Sequence, residues 1–376
     1  MAHSETGQLL LTGVPGPELD AQSAALFHEV QPGGFILFGR NIKTPAQLRK
    51  LVDDLRGLSA VEPIITIDQE GGRVSRLRLI GNEPPNARQL RERGSLELIA
   101  RHGAVTAALL RLFGFNLDLC PVLDISFDDE ADNSLRGRCY GRDVEQTIRN
   151  AGAFNAALRK GGIASCGKHF PGYSRAPLDA HHELPVIPLG RADLDAHELA
   201  VFRHFIPAGK NPHAEPDAVD SMMVAHAQYP HLEPEGLPAS LSHRIVTGLL
   251  REELGFAGLI MTDDLDMGAI LNHYSLEQTI RLAIGAGNDM AMICHRVEAL
   301  RDARTFLDRL PAAELDRALH SVASFKEHLA PPDAFTEEEF HLRDAAVFQL
   351  RLETLGPELA AQRSPEDGKR SPVEIY

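Results

Sequence analysis

Residues 34–67 have the sequence GFILFGRNIKTPAQLRKLVDDLRGLSAVEPIITI, which contains two short apolar runs separated by a helical pattern. The runs at residues 34–38 and 64–67 are continuously apolar, which is typical of strands buried on both faces. Between them, Thr44, the proline that follows it and Gln47 form the signature of a helix N-terminus. The apolar residues of that helix lie on one face: Leu48, Leu51, Val52 and Leu55. The stretch therefore predicts a strand–helix–strand unit with parallel strands.

The same alternation continues along most of the chain. The apolar runs that we interpret as strands lie at residues 9–12, 34–38, 64–67, 117–122, 163–166, 221–225, 259–261 and 290–293. The segments between them are long enough for crossover helices. Because eight strands alternate with helices, we predict an α/β protein with a closed (β/α)8 barrel of the TIM type, and not an open sheet.

A helical extension is expected after the barrel. We expect the barrel to cover residues 1–330 as a single domain, because α/β barrels of this size form one domain. A Pro-Pro pair at residues 331–332 then breaks the pattern. Residues 336–355 predict one further helix, with Thr336 and a glutamate three residues later as its capping box. Residues 331–376 are thus predicted to form a helical extension with a disordered polar tail from about residue 362.

The composition excludes several classes of partner. The chain has 376 residues, with 38 basic and 53 acidic side chains and a formal charge of −15. This acidity argues against nucleic acid, which requires a basic surface, and against an anionic membrane. No stretch approaches the roughly 20 apolar residues of a membrane span, and the N-terminus lacks a signal-peptide pattern. We therefore expect a cytoplasmic protein with four free thiols, and we find no sequence signal for an oligomeric state.

Ionisable residues follow five successive predicted strands. They are Asp68, Glu70, Arg73 and Arg76 after strand three, Asp124 after strand four, Lys168 and His169 after strand five, His226 after strand six, and Asp263 and Asp264 after strand seven. Barrel active sites form at these strand ends. A charge that points into the barrel mouth needs a partner, a ligand or water. The pattern therefore indicates an active site.

The segment after predicted strand five contains the strongest candidates for acid/base catalysis. Residues 168–190 show no helical or strand periodicity, and a loop of this length in a compact barrel is usually functional. Asp179 and His181 are two residues apart, so both point to the same side of an extended chain. A carboxylate beside an imidazole favours the protonated ring, as a general acid requires. Asp263 could then act as the carboxylate nucleophile of a retaining glycosidase, with His181 as an unusual proton donor.

The chain resembles bacterial β-N-acetylglucosaminidases of glycoside hydrolase family 3. The motifs that carry the resemblance are residues 67–78 (IDQEGGRVSRLR), 138–141 (RCYG), 168–185 (KHFPGYSRAPLDAHHELP) and 255–268 (GFAGLIMTDDLDMG). Weaker matches lie at residues 33–41, 115–124 and 224–230. Together these motifs span about residues 8–295, in the family's order.

The resemblance implies a role for each matching residue. Asp263 corresponds to the nucleophile, His181 to the acid/base on a mobile loop, and Asp179 to its dyad partner. The residues that correspond to the binding site of the terminal N-acetylglucosamine are Asp68, Arg76, Arg138, Lys168 and His169. The family's reaction needs no cofactor and no metal. The implied activity is that of a retaining, exo-acting β-N-acetylhexosaminidase in the cytoplasmic recycling of muropeptides.

The sequence departs from the family's pattern at two places, and we expect a consequence from each. Tyr173 and Ser174 replace the second half of the usual Pro-Gly-His-Gly, and the loss of that glycine is expected to stiffen the loop. Asp266 adds a negative charge near Asp263, which is expected to raise the pKa of the nucleophile. Glu70 is expected to be structural and tied to the backbone of its own loop.

Several other functions are compatible with the residues alone. The same site could act on plain β-glycosides, or it could transfer the sugar to phosphate, because a histidine acid/base presents less negative charge to an anion. A metal-dependent hydrolase would use His169, Asp179, His181 and Asp263 as ligands, although no HExxH motif occurs. A Schiff-base aldolase would use Lys168. A sugar-binding barrel without activity is a further alternative.

Overall fold

The computed structural model describes residues 3–130, 134–207 and 215–363, so the predicted tail from residue 364 onward lies outside them. Eight parallel strands form a closed barrel in which each strand pairs with its neighbours in chain order. The strands are β1 (Leu10–Gly13), β2 (Gly34–Leu37), β3 (Ile64–Ile67), β4 (Leu117–Asp118), β5 (Ala164–Phe170), β6 (Ser221–Val224), β7 (Leu259–Asp264) and β8 (Met290–Ile293). The predicted (β/α)8 barrel is confirmed.

Two strands extend further than the sequence predicted. Strand β5 continues to Phe170, which pairs with Val224 beyond a bulge, and β7 continues to Asp264, which pairs with Met292. The prediction that Lys168 and Asp263 follow their strands is therefore wrong, since both residues lie inside their strands, close to the C-terminal ends. Their polar side chains ended the apolar runs, although the backbone pairing continues. Strand β4 is shorter than predicted, and only one isolated bridge extends it.

Helices surround the barrel. They are α1 (Ala21–Val30), α2 (Pro45–Leu58), α3 (Ala87–Arg93), α4 (Leu96–Phe113), α5 (Val144–Lys160), α6 (Arg191–Ala196), α7 (Glu198–Phe205), α8 (Gly268–Leu271), α9 (Leu276–Ala286), α10 (Leu300–Leu307), α11 (Ala312–Lys326), α12 (Glu337–Leu355) and α13 (Pro357–Ala360). A π-helical segment, Arg244–Glu253, lies between β6 and β7. The capping box at the start of α2 is confirmed, because Thr44 accepts from the N–H of Gln47. Within the described ranges, no helix is long and apolar enough to cross a membrane.

Helix α12 packs against the outside of the barrel. The ring centroid of Phe340 on this helix lies 5.6 Å from that of Phe113 on α4. Arg343 forms an ion pair with Asp333 at 2.9 Å, which ties the helix to the segment that precedes it. The division of the chain into a barrel at residues 1–330 and an extension at residues 331–376 stays a prediction.

One buried amide joins the loops after β1 and β2. The side-chain oxygen of Asn41 accepts the N–H of Phe38 at 2.9 Å. Its nitrogen donates to the carbonyls of Val14 at 2.9 Å and Gly16 at 2.7 Å. Asn41 is fully buried, and the N–H of Phe38 and the carbonyl of Gly16 depend on it for their hydrogen bonds, whereas the carbonyl of Val14 also accepts from Nε of Arg40. The amide thereby holds Phe38 at the mouth of the barrel.

We predict that Asn41→Ala lowers the free energy of unfolding by about 2 kcal/mol, because it leaves the buried N–H of Phe38 without its acceptor and removes a donor from the carbonyls of Val14 and Gly16. Thermal and urea unfolding measure the loss. Lys43→Ala is the control, since this nearby side chain is exposed and its removal is expected to change stability by no more than about 0.5 kcal/mol. Equal stability of the two variants would show that the amide does not organise these loops.

Candidate active site

A pocket of about 690 Å³, open at its mouth, lies at the C-terminal ends of the barrel strands. Side chains from the ends of β5 and β7 line it, together with residues of the loops after β2, β3, β4, β5 and β8. All eight candidate residues from the sequence line this one pocket: Asp68, Arg76, Arg138, Lys168, His169, Asp179, His181 and Asp263. The predicted juxtaposition of the loop after β5 with the end of β7 is thus present in the fold.

A buried charge cluster forms one side of the pocket. Nζ of Lys168 lies 2.7 Å from Oδ1 of Asp68 and 2.7 Å from Oε1 of Glu70. Arg138 binds both oxygens of Glu70, each at 2.7 Å. Burial disfavours the ammonium form of Lys168, but the two carboxylates outweigh it and raise the pKa of Lys168 above its ordinary value. The lysine is therefore a cation at neutral pH.

The expectation that Glu70 binds the backbone of its own loop was wrong. The carboxylate does not bind the backbone of its own loop, but bridges Arg138 and Lys168 from two other segments. Burial disfavours ionisation of Glu70, but these two cations overcome it and hold its pKa well below the ordinary value. The sequence separation of the three residues hid this pairing, because only the barrel closure brings their segments together.

Asp68 lies above this cluster at the surface of the pocket. Its Oδ2 lies 3.6 Å from Nη2 of Arg76, and 16% of its side chain remains exposed. A short hairpin, formed by Gln69–Gly71 and Val74–Ser75, connects the two residues. Gly71 has a φ of +105° and allows the carbonyl of Pro85 to approach closely, where a side chain would clash. The turn thereby places a carboxylate and a guanidinium side by side at the pocket.

His169 is oriented by a carboxylate behind it. Its Nδ1 lies 2.7 Å from Oδ2 of Asp124, which is fully buried. The other oxygen of Asp124 accepts the N–H of Tyr173 at 2.6 Å. A carboxylate only accepts hydrogen bonds, so Nδ1 of His169 carries a proton and the Nε2 atom is the one that can accept. Asp124 thus fixes both the ring and the start of the loop after β5.

The second imidazole of the pocket belongs to the predicted dyad. Nδ1 of His181 lies 2.6 Å from Oδ1 of Asp179, and the same oxygen accepts the N–H of His181 at 3.0 Å. The ring is largely buried, with 15% of the side chain exposed. The arrangement holds the imidazole in one orientation.

Hydrogen bonds brace this loop internally and join it to the turn after β7. The hydroxyl of Tyr173 donates to the carbonyl of Leu178 at 2.7 Å and accepts the N–H of Ala180 at 2.9 Å. The N–H of Gly268 donates to the carbonyl of His181 at 3.0 Å. Sequence reasoning treated Tyr173 only as a departure, yet it spans the loop that carries the dyad. A large polar aromatic near the start of a long loop without helical or strand periodicity is the signal that could have identified it.

Asp263 lies at the end of β7 and lines the same pocket as the dyad. Its Oδ1 accepts the N–H of Asp264 at 2.8 Å. Burial acts to raise its pKa, but the imidazoles of His226 and His169 and this N–H outweigh burial, so the pKa of Asp263 is lower than usual. The carboxylate is therefore ionised at neutral pH, as a nucleophile requires.

His226 supports β7 from behind. Its Nε2 lies 2.9 Å from the carbonyl oxygen of Asp264, and its Nδ1 lies 2.7 Å from the hydroxyl of Ser240. Burial lowers the pKa of His226, against the opposing effect of the Asp263 carboxylate. The carbonyl only accepts, so Nε2 donates to it. The residue positions the strand end.

The expectation for Asp266 was wrong. Its carboxylate accepts the N–H groups of His295 at 2.7 Å and Arg296 at 2.9 Å, and it forms an ion pair with the guanidinium of Arg296 at 2.6 Å. These groups neutralise the charge of Asp266, which does not line the pocket. The pKa of Asp263 is accordingly lowered, not raised.

The loop after β8 forms part of the pocket wall, which the sequence analysis did not identify. His295 lies 5.3 Å from the ring of Phe38, measured between centroids, and both residues line the pocket. Nη1 of Arg40 lies 3.0 Å from Nδ1 of His295, and an arginine only donates, so the histidine accepts there. His295 directly follows the residue after the predicted eighth strand. Extending the survey of strand ends to that strand would have identified it.

Comparisons with known proteins place this chain in a family. The Glycosyl hydrolase family 3 N terminal domain matches residues 1–325. A β-hexosaminidase of Vibrio cholerae is 36% identical over 307 residues, covering 81% of this chain and 87% of the relative. A β-hexosaminidase of Photobacterium profundum is 34% identical over 333 residues, covering 88% of this chain and 95% of the relative.

A solved structure supports the same assignment. The glycoside hydrolase family 3 β-N-acetylglucosaminidase from Paenibacillus sp. str. FPU-7 superposes with a TM-score of 0.82 at 33% sequence identity. The match covers 94% of this chain and 69% of that one. The resemblance found in the motifs is thus confirmed: the chain belongs to glycosyl hydrolase family 3 and is a glycoside hydrolase.

Proposed function

We propose that this glycoside hydrolase is an exo-acting β-N-acetylhexosaminidase that releases terminal β-linked N-acetylglucosamine with retention of configuration. The observation that carries the proposal is that the Asp179–His181 pair and the Asp263 carboxylate line one pocket. Relatives named β-hexosaminidase, which match over most of this chain, support the choice of sugar.

The proposed reaction has two displacements. In the first, Asp263 attacks the anomeric carbon and forms a glycosyl ester, while protonated His181 donates its proton to the departing oxygen. Asp179 stabilises the charged imidazole and holds its orientation. In the second, neutral His181 takes a proton from water, which attacks the anomeric carbon and releases Asp263. Each proton that the imidazole gives in the first step returns to it in the second.

The charge cluster is proposed to bind the terminal sugar. The partly exposed carboxylate of Asp68 is a suitable acceptor for neighbouring hydroxyl groups, and Arg76 and Lys168 beside it are donors. Arg138 and His169 contribute further donor and acceptor groups from the same pocket wall. Buried, mutually paired charges keep their geometry when the pocket is empty, which lowers the ordering that binding requires.

The observed contacts disfavour two of the alternatives. Schiff-base formation requires a neutral amine, whereas the two carboxylates hold Lys168 as an ammonium ion. A metal-dependent hydrolase would need several ligands that converge on one point. Among the residues that the structure describes, no group of three or more potential ligands is arranged to hold a metal ion.

The proposed biological setting follows from the proposed substrate. Terminal N-acetylglucosamine occurs in the muropeptides released from bacterial cell walls. We propose that the protein acts in the cytoplasm on such carbohydrate fragments, without nucleic acid, membrane, metal or cofactor as a partner.

We predict that Asp263→Gly lowers kcat on p-nitrophenyl N-acetyl-β-glucosaminide by on the order of 10⁴-fold, because the nucleophile is lost. Azide should restore part of the rate and yield the α-configured glycosyl azide, since a small anion then attacks from the vacated side. Near-normal turnover without azide, or a β-configured azide product, would reject Asp263 as the nucleophile.

We predict that the effect of His181→Ala depends on the leaving group. A dinitrophenyl glycoside needs little protonation, so its kcat/KM should fall only slightly, whereas an unactivated alkyl glycoside should lose about 10²- to 10⁴-fold. His182→Ala is the matched control, because this adjacent side chain is exposed. If the loss is the same for both leaving groups, His181 is not the general acid.

We predict that the 2-acetamido group determines the substrate. The kcat/KM for p-nitrophenyl N-acetyl-β-glucosaminide should exceed that for the plain β-glucoside by about 100-fold, because a pocket built for a polar group rejects a substrate that lacks it. In phosphate buffer the main product should remain free N-acetylglucosamine. A sugar 1-phosphate as the main product would instead establish a phosphorylase, and preference for the glucoside a β-glucosidase.

A further inference from the structure

Helix α12 contacts the segment that leads out of the pocket between β3 and α3, although it lies beyond the residues that match the family. Oδ1 of Asp344 accepts the N–H of Asn82 at 2.6 Å, and Oδ2 accepts the side-chain amide of Asn82 at 2.6 Å. The helix also lies so close to Gly81 that an added side-chain carbon would clash with Asp344. The helix therefore packs on this segment with specific polar contacts.

A buried ion-pair bridge strengthens the contact. Nη1 of Arg351 donates to Oε1 and to the carbonyl oxygen of Glu83, each at 3.1 Å. The other carboxylate oxygen of Glu83 accepts from Nη1 of Arg78 at 3.2 Å. All three side chains are buried. Without Arg351, Glu83 would keep its ion pair with Arg78 but would lose the donor that holds both its carboxylate and its carbonyl oxygen, so its position would be less fixed.

The segment held by α12 is the one that positions two pocket residues. Arg78 shares the short 3-10 turn Arg76–Leu79 with Arg76, which lines the pocket. Further along, the carbonyl of Pro84 accepts the N–H of Gly72, at 2.8 Å, in the hairpin that follows Asp68. Any shift of residues 81–85 is therefore transmitted to both sides of the Asp68–Arg76 pair.

We propose that α12 is a buttress for this segment, and that Arg351 and Asp344 are positioning residues for Arg76 and Asp68. The activity readout of this proposal rests on the proposed function. Neither residue touches the pocket, so each acts on binding only through Glu83 and Asn82. The C-terminal extension thereby completes the binding site of the barrel.

The same helix offers a control for a merely structural role. Arg343 binds Asp333 at 2.9 Å and the carbonyl of Ala108 on α4 at 2.5 Å, which fastens α12 to the barrel away from the segment. Loss of Arg343 should loosen the helix on α4 without removing either contact to Asn82 or Glu83. The two arginines therefore separate attachment of the helix from support of the binding segment.

The experiment compares Arg351→Met with Arg343→Met in the full chain. Hydrogen exchange of peptides that cover residues 72–86 should rise in Arg351→Met and stay at the wild-type level in Arg343→Met. The KM for p-nitrophenyl N-acetyl-β-glucosaminide should rise about tenfold in Arg351→Met with little change in kcat, because a binding contact is misplaced. Arg351→Lys should recover part of the KM, and Asp344→Ala should act in the same direction as Arg351→Met.

Two results would overturn the buttress. One is unchanged exchange of residues 72–86 in both Arg351→Met and Asp344→Ala. The other is an equal rise in KM for Arg351→Met and Arg343→Met, which would mean that any loosening of α12 has the same effect. If the wild-type protein does not turn over the substrate, the proposed function fails, while the exchange comparison still decides the buttress. If Arg351→Met does not fold, Asp344→Ala supplies the comparison.

Discussion

An ammonium ion buried between two carboxylates holds one side of the pocket together. Lys168 is almost fully buried at the end of β5, and it contacts Asp68 and Glu70 from the excursion after β3. A desolvated charge costs several kcal/mol unless it is paired, so β5 and this excursion cannot separate without a large penalty. Arg138 joins from a third segment through Glu70. Through Arg78 and Glu83, the support continues outward to the C-terminal helix.

The opposite side of the pocket is held differently. The part of the loop that carries His181 is joined to the turn after β7 by neutral hydrogen bonds from the N–H groups of Gly268 and Ala269, whereas the hydroxyl of Tyr173 bonds within the loop. Each such bond contributes only about 1 kcal/mol net, so this side can open at far lower cost than the charge cluster. A rigid binding wall and a movable proton donor fit the order of events in the proposed reaction, in which the sugar binds before the acid closes over it.

The sequence predicted the barrel well because hydrophobic periodicity decides which segments become strands. The candidate site was also predictable, since the strand-end rule and the family motifs select residues that one pocket unites. Contacts between segments that are distant in the chain were harder to predict from the sequence. The runs appeared to end before Lys168 and Asp263 because polar side chains interrupt them, yet ladder pairing continues through bulges. The partners of Glu70 and Asp266 come from distant segments, so no local pattern reveals which charges they neutralise.

Covalent trapping tests the central claim, that the Asp263 carboxylate attacks the anomeric carbon of the bound sugar. A 5-fluorinated N-acetylglucosaminyl fluoride should glycosylate the enzyme with loss of fluoride and form a slowly hydrolysed glycosyl ester, and peptide mass spectrometry locates the sugar. Our interpretation predicts one sugar per chain, attached to Asp263. Attachment to another residue, or turnover of the reagent with inversion and no covalent species, would contradict it.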